Sequence, residues 1–440
     1  MKRTDSKHSN RRRILFVATL VPALVIGLGL WSPLNRAKAH GRPETPVYRV
    51  DPFWPKPLPS DATQISTTTG KPKPWVTADV GGTCVDSRDR VWTVNRAFQA
   101  TATAPNQLVS PETVIAVPAP PVVAYDRRGD VFTGWGNPNV VPGGIHGCFV
   151  DYQDNVWIAG NGDGIVQKYT QDGTLLLQIG TRGTCDWPAN ANACGNSGSD
   201  PAANKSHTTL NEPADIAVDP SNGDVYVADG YGNHRVVVFD KNGQWLRHWG
   251  GVVVDSLHPN ATAHDRGSFA AGDGGHPHCV VLAKNNTLYV CDRASDRILV
   301  YEKNPSNCDR TTDPPVCQPL QIIDVLPGTG VTASPSGAAP LGTAGSAWDV
   351  DFSNDRAQTF MFEADGGNEI MHIMNRATGA ILGGTGQPGH AAGQFTFLHT
   401  LAIDHRGNIF TGETINGRRI QKFVKVDGDR NGDRDDGDDD

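Results

Sequence analysis

The amino-acid sequence predicts an all-β protein, a six-bladed β-propeller in which each blade is one repeat of the chain. Three observations carry this prediction. One short pattern occurs six times, its copies start 53 to 68 residues apart, and helical periodicity is nearly absent after residue 40. A repeat of this length holds four short strands with their loops. Four-stranded sheets that repeat along a chain close radially into a propeller, which hides most sheet edges.

Each copy has an apolar run, a polar turn with Asp, Asn or Gly, and a second run rich in β-forming residues. The copies are GGTCVDSRDRVWTVNR (81–96), HGCFVDYQDNVWIAGN (146–161), ADIAVDPSNGDVYVADGY (214–231), HCVVLAKNNTLYVCDR (278–293), SAWDVDFSNDRAQTFMFEADGG (346–367) and HTLAIDHRGNIFTGE (399–413). Third strands are predicted at 235–240, 297–302 and 418–423. The propeller should occupy residues 76–425, after a Pro- and Thr-rich lead-in at 40–75 that can lend a strand to the last blade.

Both ends of the chain lie outside the predicted propeller. Residues 1–39 combine a basic start, an apolar run and the small-x-small sequence AKA, which indicates a cleaved signal peptide and a secreted or periplasmic protein. An uncleaved membrane anchor is the alternative. Without residues 1–39 the chain has 31 basic and 46 acidic residues, and this negative net charge argues against a nucleic-acid partner. Residues 426–440 resemble the start of a calcium loop, but without flanking helices a disordered acidic tail is predicted.

Eight cysteines in an exported chain predict disulfides. The stronger pairs, close in sequence within Gly-, Pro- and Asn-rich loops, are Cys185 with Cys194 and Cys308 with Cys317. Two weaker pairs are also predicted. Cys279 could face Cys291 on an adjacent strand, and Cys84 and Cys148 fall at matching places in neighbouring repeats. Buried free thiols are the alternative for each. A cysteine-ligated metal site is disfavoured, because no Cys-x-x-Cys occurs.

Histidines stand at the start of three repeats. Five positions before the polar residue that ends the first apolar run, the repeats carry Gly81, His146, Ala214, His278, Ser346 and His399. Alternate blades of a closed six-blade ring lie about a third of a turn apart, so three imidazoles should meet on the axis, with small residues between them. Three protein ligands with an open fourth position form a catalytic-type zinc site. The alternatives are ordinary strand-end histidines, or His276 as the ligand of the fourth blade.

Polar residues also end the second strand of several repeats. Aligning Trp92, Tyr226 and Tyr289 places Asn95, Asp229 and Asp292 at one position. The next position holds Arg96 and Arg293 in the first and fourth repeats. In the third repeat it holds Gly230, which Tyr231 follows. We expect these residues to face one mouth of the channel, around the three histidines. Arginine grips carboxylates with a forked geometry, and a tyrosine beside a metal ion and cations can act as a base. A structural ion pair is the alternative for each arginine.

These motifs resemble two known groups of proteins. NEPADIAVDPSNGDVYVADGYGNHRVVVFDKNGQWLRHWG (211–250) resembles an NHL repeat. Over residues 75–424 the chain resembles the peptidyl-α-hydroxyglycine α-amidating lyase family. The family's histidine motifs are similar to IHGCFVD, PHCVVLA and LHTLAID. Its tyrosine motif is similar to ADGYGNHR, and its arginine motifs are similar to VNRAF and CDRASDR. The resemblance implies a six-bladed β-propeller built from NHL-like repeats. It also implies Zn²⁺ on His146, His278 and His399, and catalysis by Tyr231, Arg96 and Arg293.

The reaction that the resemblance implies is cleavage of the N–C bond of a peptidyl-α-hydroxyglycine, or a related α-hydroxy amide, to an amide and glyoxylate. The family has an Asp after its third histidine that helps to hold a structural Ca²⁺; Thr400 stands there, so Ca²⁺ is a weaker expectation than Zn²⁺. We expect no copper-monooxygenase domain in this chain, so the hydroxylated substrate comes from elsewhere. The rival functions are a non-catalytic NHL-repeat propeller that binds a protein or glycan, and a calcium-dependent lactonase.

Overall fold

The computed structural model describes residues 44–101, 104–186, 194, 204–250, 269, 277–327 and 345–426. Six four-stranded antiparallel sheets form the blades of a β-propeller, as the sequence predicted. The first strand of each blade is innermost and contacts the first strands of its neighbours, and that of blade six contacts that of blade one. The predicted signal peptide, and the acidic tail beyond residue 426, lie outside the described residues.

The first three blades follow one another along the chain. Blade one has β4 (Val80–Val85), β5 (Val91–Asn95), β7 (Val122–Tyr125) and β8 (Val131–Trp135). Blade two has β9 (Ile145–Val150), β10 (Val156–Gly160), β11 (Ile165–Tyr169) and β12 (Leu175–Ile179). Blade three has β13 (Asp215–Val218), β14 (Val225–Asp229), β15 (Arg235–Phe239) and β16 (Trp245–Gly250).

The last three blades complete the ring. Blade four has β17 (Pro277–Leu282), β18 (Thr287–Asp292), β19 (Arg297–Glu302) and β22 (Gln321–Asp324). Blade five has β23 (Asp349–Phe352), β24 (Phe360–Asp365), β25 (Ile370–Asn375) and β26 (Ile381–Thr385). Blade six has β27 (Leu398–Ile403), β28 (Ile409–Glu413) and β29 (Arg419–Val426), with β1 (Val47–Asp51) as its fourth strand.

The remaining elements decorate the blades. A small sheet has β2 (Ser60–Ile65), β3 (Pro72–Val76) and β6 (Val117–Pro118), and a hairpin has β20 (Cys308–Asp309) and β21 (Val316–Cys317). Helix α1 (Glu112–Ile115) and a 3₁₀ turn (Arg293–Ser295) are short. None of the helices in the described part of the chain has the length and apolar character that crossing a bilayer requires.

The strand that the lead-in was expected to supply is β1. It pairs antiparallel with β29 in a continuous register from Val47 opposite Val426 to Asp51 opposite Lys422. Blade six therefore takes three strands from the end of the described chain and one from its beginning. This pairing covers an edge that would otherwise be open, and it closes the ring by hydrogen bonds.

Apolar packing between blades forms the core. Each of six buried clusters spans two neighbouring blades, so every blade is covered on both faces. The inner strands therefore read as nearly continuous apolar runs rather than as alternating patterns. Turn aspartates hold large rings in this core: Nε1 of Trp92 donates to Asp86 at 3.0 Å, and Nε1 of Trp157 donates to Asp151 at 2.9 Å.

All four predicted cysteine pairs are disulfides in the structure. They are Cys84–Cys148, Cys185–Cys194, Cys279–Cys291 and Cys308–Cys317. The first joins the innermost strands of blades one and two, and the third joins directly opposed residues of β17 and β18. Four disulfides indicate an oxidising compartment, either extracellular or periplasmic.

Blade five does not follow the predicted register. The amide of Trp348 donates to the carbonyl of Ala364 at 3.1 Å, just as the amide of Ala214 donates to the carbonyl of Ala228 at 2.8 Å. Trp348 therefore occupies the position that the histidines occupy in other blades. The prediction that Ser346 stands there is wrong by two residues.

A turn residue explains this error. The alignment assumed that the first strand of blade five ends at Asp351. In the structure the turn begins at Ser353, whose amide donates to the carbonyl of Phe360 at 3.0 Å. Asp351 instead accepts a hydrogen bond from the amide of Ile403 in the next blade at 3.0 Å, so its carboxylate bridges two blades.

The disulfide between blades should stabilise the fold more than a disulfide within a hairpin. Sequence separation is 64 residues for Cys84–Cys148 and 9 for Cys308–Cys317. On the loop-entropy model, replacing both cysteines by serine should lower the free energy of unfolding by about 4 kcal/mol for the first pair and about 2.5 kcal/mol for the second. Urea unfolding of the two double variants measures the difference. Equal losses would show that the unfolded chain already holds blades one and two together.

Candidate metal centre

Three buried histidines meet on the axis of the propeller. His146, His278 and His399 lie on β9, β17 and β27, the innermost strands of alternate blades. The centroids of their rings are 4.6 to 5.0 Å apart. One ring nitrogen of each lies within 4.8 Å of the others, so the group can hold a metal ion. His276, the competing ligand, lies outside the described residues.

Backbone carbonyls of the following blade orient the rings. Nδ1 of His146 is 2.8 Å from the carbonyl oxygen of Ala214, and Nδ1 of His278 is 2.6 Å from that of Trp348. The carbonyl of Gly81 interacts with the third histidine in the same way, although too loosely for a well-formed hydrogen bond. Because a carbonyl can only accept, Nδ1 carries the hydrogen, and the lone pair of Nε2 is left for a metal ion.

The surroundings keep the imidazoles of His146 and His399 neutral. Burial is the largest cause that lowers the pKa of His146 and of His399 well below the ordinary value. The positive charges of Arg96 and Arg293 lower both pKa values further. A neutral imidazole is the form that binds a metal ion, so the donor set fits Zn²⁺.

Tyr231 reaches this group from blade three. Its hydroxyl oxygen is 3.0 Å from Nε2 of His146 and accepts a hydrogen bond from Nη1 of Arg293 at 2.9 Å. Tyr231 has a φ of 61°, a conformation that side-chain-bearing residues rarely adopt. The preceding Gly230 is required, because a Cβ there would lie 1.9 Å from the carbonyl oxygen of Pro277. This strained turn, held against blade four, directs the phenol to the axis.

Two arginines flank the phenol. The guanidinium of Arg293 lies 5.1 Å from the ring centroid of Tyr231 and 4.6 Å from that of Trp348. Nε of Arg96 donates to the carbonyl of Ile145 at 2.7 Å, and its charge also interacts with Tyr231. Burial lowers the pKa of Arg96, but a guanidinium keeps its charge at neutral pH. All six predicted site residues therefore lie together around the axis.

Trp348 is a site residue that the sequence alignment missed. Its ring centroid lies 5.6 Å from those of both His278 and His399, and its Nε1 donates to the carbonyl of Gly345 at 2.8 Å. The expectation of only small residues between the histidines is thus wrong in blade five, where an indole fills the space. Aligning the turn at Ser353, rather than the preceding Asp, would have found it.

The predicted strand-end residues Asn95, Asp229 and Asp292 do not face the channel mouth. They are fully buried and brace their own blades. Nε of Arg235 donates to Asp229 at 2.8 Å, and Nε of Arg297 donates to Asp292 at 2.7 Å. Asp292 is therefore paired with the arginine across the turn rather than with the arginine that follows it. The position is structural. The site is reached by the next residue in blades one and four, Arg96 and Arg293, and by the second next residue in blade three, Tyr231.

A cavity of about 150 Å³ lies among the innermost strands. Asp215, Asp349 and Asp351 line it. Asp215 accepts a hydrogen bond from the amide of Val280 at 3.0 Å, and Asp349 accepts one from Leu401 at 2.9 Å, each in the next blade. Burial raises the pKa of Asp215 to about 7 and that of Asp351 to about 6.

Thr400 has no carboxylate that could bind Ca²⁺ at the position after the third histidine. It is buried, and its hydroxyl donates to that of Thr83 at 3.1 Å. Asp215 and Asp349 occupy the equivalent position in blades three and five, directly after Ala214 and Trp348. A structural Ca²⁺ stays an expectation.

Comparisons with known proteins identify one repeat in this chain and several proteins that are similar to it. The NHL repeat model matches residues 210–239, so the chain contains an NHL repeat. Peptidyl-glycine alpha-amidating monooxygenase of Mus musculus is 34% identical over 92 residues, which are 21% of this chain and 8% of that protein. NHL repeat-containing protein 3 of Homo sapiens is 25% identical over 197 residues, 42% of this chain and 46% of that protein. The chain thus spans less than half the length of either relative.

Among solved structures, a gluconolactonase from Xanthomonas campestris is similar to this chain at 12% identity. The TM-score is 0.46, and the match covers 87% of this chain and 99% of that one.

Replacing one axial histidine should remove one bound metal ion per chain. His278→Ala deletes a ligand, whereas the control His276→Ala, two residues earlier, should keep the ion. Elemental analysis of protein purified without chelator, with zinc as the expected element, measures both. Metal lost from the control and kept by His278→Ala would assign the wrong histidine to the axis.

The contribution of Asp215 to stability should fall as pH rises from about 4 to about 7. The folded pKa of Asp215, about 7, exceeds its ordinary value of 3.8, so between these values the folded state binds more protons than the unfolded state. The contribution of Asp215 to the free energy of unfolding then decreases with rising pH. Asp215→Asn should flatten this slope, because it removes the carboxyl that titrates. The variant should still fold, because its amide oxygen can accept the hydrogen bond from the amide of Val280. Denaturant unfolding with chelator present tests this, and the exposed control Asp130→Asn should leave the slope unchanged.

Proposed function

We propose that this chain is an exported, zinc-dependent lyase that cleaves the N–C bond of a peptidyl-α-hydroxyglycine or a related α-hydroxy amide. One observation carries the proposal: the phenol of Tyr231 is held between Nε2 of His146 at 3.0 Å and Nη1 of Arg293 at 2.9 Å. A proton acceptor, a buried imidazole set and a fixed cation thus share one small space. Desolvated groups that converge in this way are the arrangement expected of a functional site.

The reaction breaks one C–N bond and transfers one proton. The α-hydroxyl of the substrate loses its proton, and its oxygen becomes the aldehyde oxygen of glyoxylate. The electron pair of the C–N bond passes to the amide nitrogen, which takes up a proton. Tyr231, whose oxygen accepts a hydrogen bond from Arg293, is assigned as the base that accepts the hydroxyl proton and returns it to the nitrogen.

Zn²⁺ on the three histidines would supply a Lewis acid that polarises the hydroxyl oxygen. The two arginines then divide the remaining work. Arg293 contacts Tyr231 directly, whereas Arg96 is fixed through its Nε by Ile145. We therefore assign the substrate carboxylate to the fork of Arg96 and support of the phenolate to Arg293. The buried indole of Trp348 packs against two of the histidines on one side of the site.

The partial sequence similarity to peptidyl-glycine alpha-amidating monooxygenase supports this proposal. A small peptide or α-hydroxy amide is the expected partner.

The assay incubates the protein with a peptide that ends in α-hydroxyglycine and measures glyoxylate. Tyr231→Phe should lower kcat at least 100-fold, the contribution of a positioned base, while the metal content stays constant. The matched control is Tyr289→Phe, which also removes a hydroxyl that contacts an arginine, Arg376 at 3.1 Å, and which should leave kcat unchanged.

The arginine assignment has its own outcome in the same assay. Arg96→Lys should mainly raise KM, because the point charge of lysine cannot form the two parallel hydrogen bonds with which a guanidinium binds the substrate carboxylate. Arg293→Lys should mainly lower kcat, because lysine cannot reproduce the guanidinium contact with the oxygen of Tyr231. Ureidoglycolate tests a shorter substrate. Metal-replete protein that is inert on every such substrate would favour the binding-propeller alternative, and full activity of Tyr231→Phe would contradict the role of the phenol.

A further inference from the structure

Buried carboxylates at the end of the second strand follow one rule in most blades. In blades three, four and six an arginine stands opposite the carboxylate on the third strand, with side-chain contacts of 2.6 to 2.8 Å: Asp229–Arg235, Asp292–Arg297 and Glu413–Arg419. Blades one and two place neutral residues there, namely Asn95 opposite Pro121 and Gly160 opposite Ile165. Every buried negative charge at this position in these five blades is therefore balanced by a guanidinium.

Blade five breaks this rule. Asp365 ends β24, but Ile370 stands opposite it. A second carboxylate, Glu363, lies two residues earlier on the same face, directly opposite His372 on β25. The residues equivalent to Glu363 in the other blades are uncharged: Thr93, Ile158, Val227, Val290 and Thr411. Blade five thus buries two carboxylates where the others bury one or none, without an arginine opposite.

The three polar side chains of blade five converge. One possible ligand atom each of Glu363, Asp365 and His372 lies within 4.8 Å of the others, and Nε2 of His372 is 3.2 Å from Oδ2 of Asp365. All three residues are buried. Met361 and Met374, on the same face, pack against blade four, so the cluster lies at the interface of blades four and five.

Glu363 is the member whose charge has no counterpart. It is fully buried, and in the described part of the chain neither of its carboxylate oxygens has a hydrogen-bond partner of good geometry. The amide of Trp348 lies near it but already donates to Ala364 at 3.1 Å. Asp365, by contrast, accepts from Nδ2 of Asn368 at 2.7 Å. A buried carboxylate without a partner is strongly unfavourable unless a cation or a proton neutralises it.

We propose that Glu363, Asp365 and His372 bind a divalent transition-metal cation, in addition to the ion of the three-histidine group. The ion would replace the guanidinium that balances the equivalent carboxylate in blades three, four and six. Two carboxylates and one imidazole are an oxygen and nitrogen donor set that suits Zn²⁺ or Mn²⁺. The site is structural: it ties the second and third strands of blade five together beside blade four.

Elemental analysis of protein purified without chelator tests this proposal. The wild type should carry two divalent ions per chain, and Glu363→Gln, which keeps the volume but removes the charge, should carry one. His399→Ala should also carry one, and the double variant none. The proposal is overturned if the wild type carries a single ion that His399→Ala removes, or if Glu363→Gln keeps both; Glu363 is then protonated and shares its proton with Asp365.

A second variant guards against misfolding of Glu363→Gln. His372→Gln should also lose one ion and should fold, because Gln167 and Gln421 occupy this position in blades two and six. The control is His405→Gln, which removes another His–Asp contact, 2.7 Å to Asp89, and should keep both ions.

Thermal unfolding gives an independent readout. Adding Zn²⁺ or Mn²⁺ to chelator-treated His399→Ala should raise Tm, because an ion that binds only the folded state stabilises it. The same addition to the double variant His399→Ala with His372→Gln should leave Tm unchanged. An equal rise in both would assign the stabilisation to another site and contradict the proposal.

Discussion

Closure of the ring is the constraint on which the rest of the structure depends. Strand β1 pairs with β29 and so joins the beginning of the described chain to its end. The three axial histidines are more than 120 residues apart in sequence, yet their ring centroids lie within 5.0 Å of one another. That convergence exists only when six blades complete one turn, because each blade sets the angle of the next. A site of this kind has no local precursor in the unfolded chain.

Two adjacent positions on the innermost strands link successive blades. At the first, His146 and His278 direct Nδ1 to carbonyls of blades three and five. At the second, Asp215 and Asp349 accept hydrogen bonds from amides of blades four and six. The same contacts that join the blades therefore fix the tautomers of the histidines. Stability of the ring and orientation of the three-histidine group have one physical origin.

Blade five carries most of the departures from the repeat. Trp348 replaces a small residue beside the histidines, and Glu363, Asp365 and His372 replace the usual carboxylate and arginine pair. Trp348 directly precedes the innermost strand, Glu363 and Asp365 lie on the second strand, and His372 lies on the third. Repeat proteins tolerate such changes because most contacts of a blade away from the axis are with its two neighbours, so one blade can specialise while the other five maintain the ring.

The sequence by itself determined the propeller, its six repeats and the residues that meet around the axis, because each depends on a pattern that recurs at equivalent positions. It also predicted the disulfide pairs, two of them from cysteines that are close in sequence within one loop. It did not determine the register of blade five, since an Asp that bridges two blades looks like a turn residue until its partner Ile403 is known. Nor did it show that Asp229 and Asp292 are each paired with an arginine, or that the residue opposite Glu363 is a histidine. Those features are contacts between strands and blades, and only the closed ring brings their partners together.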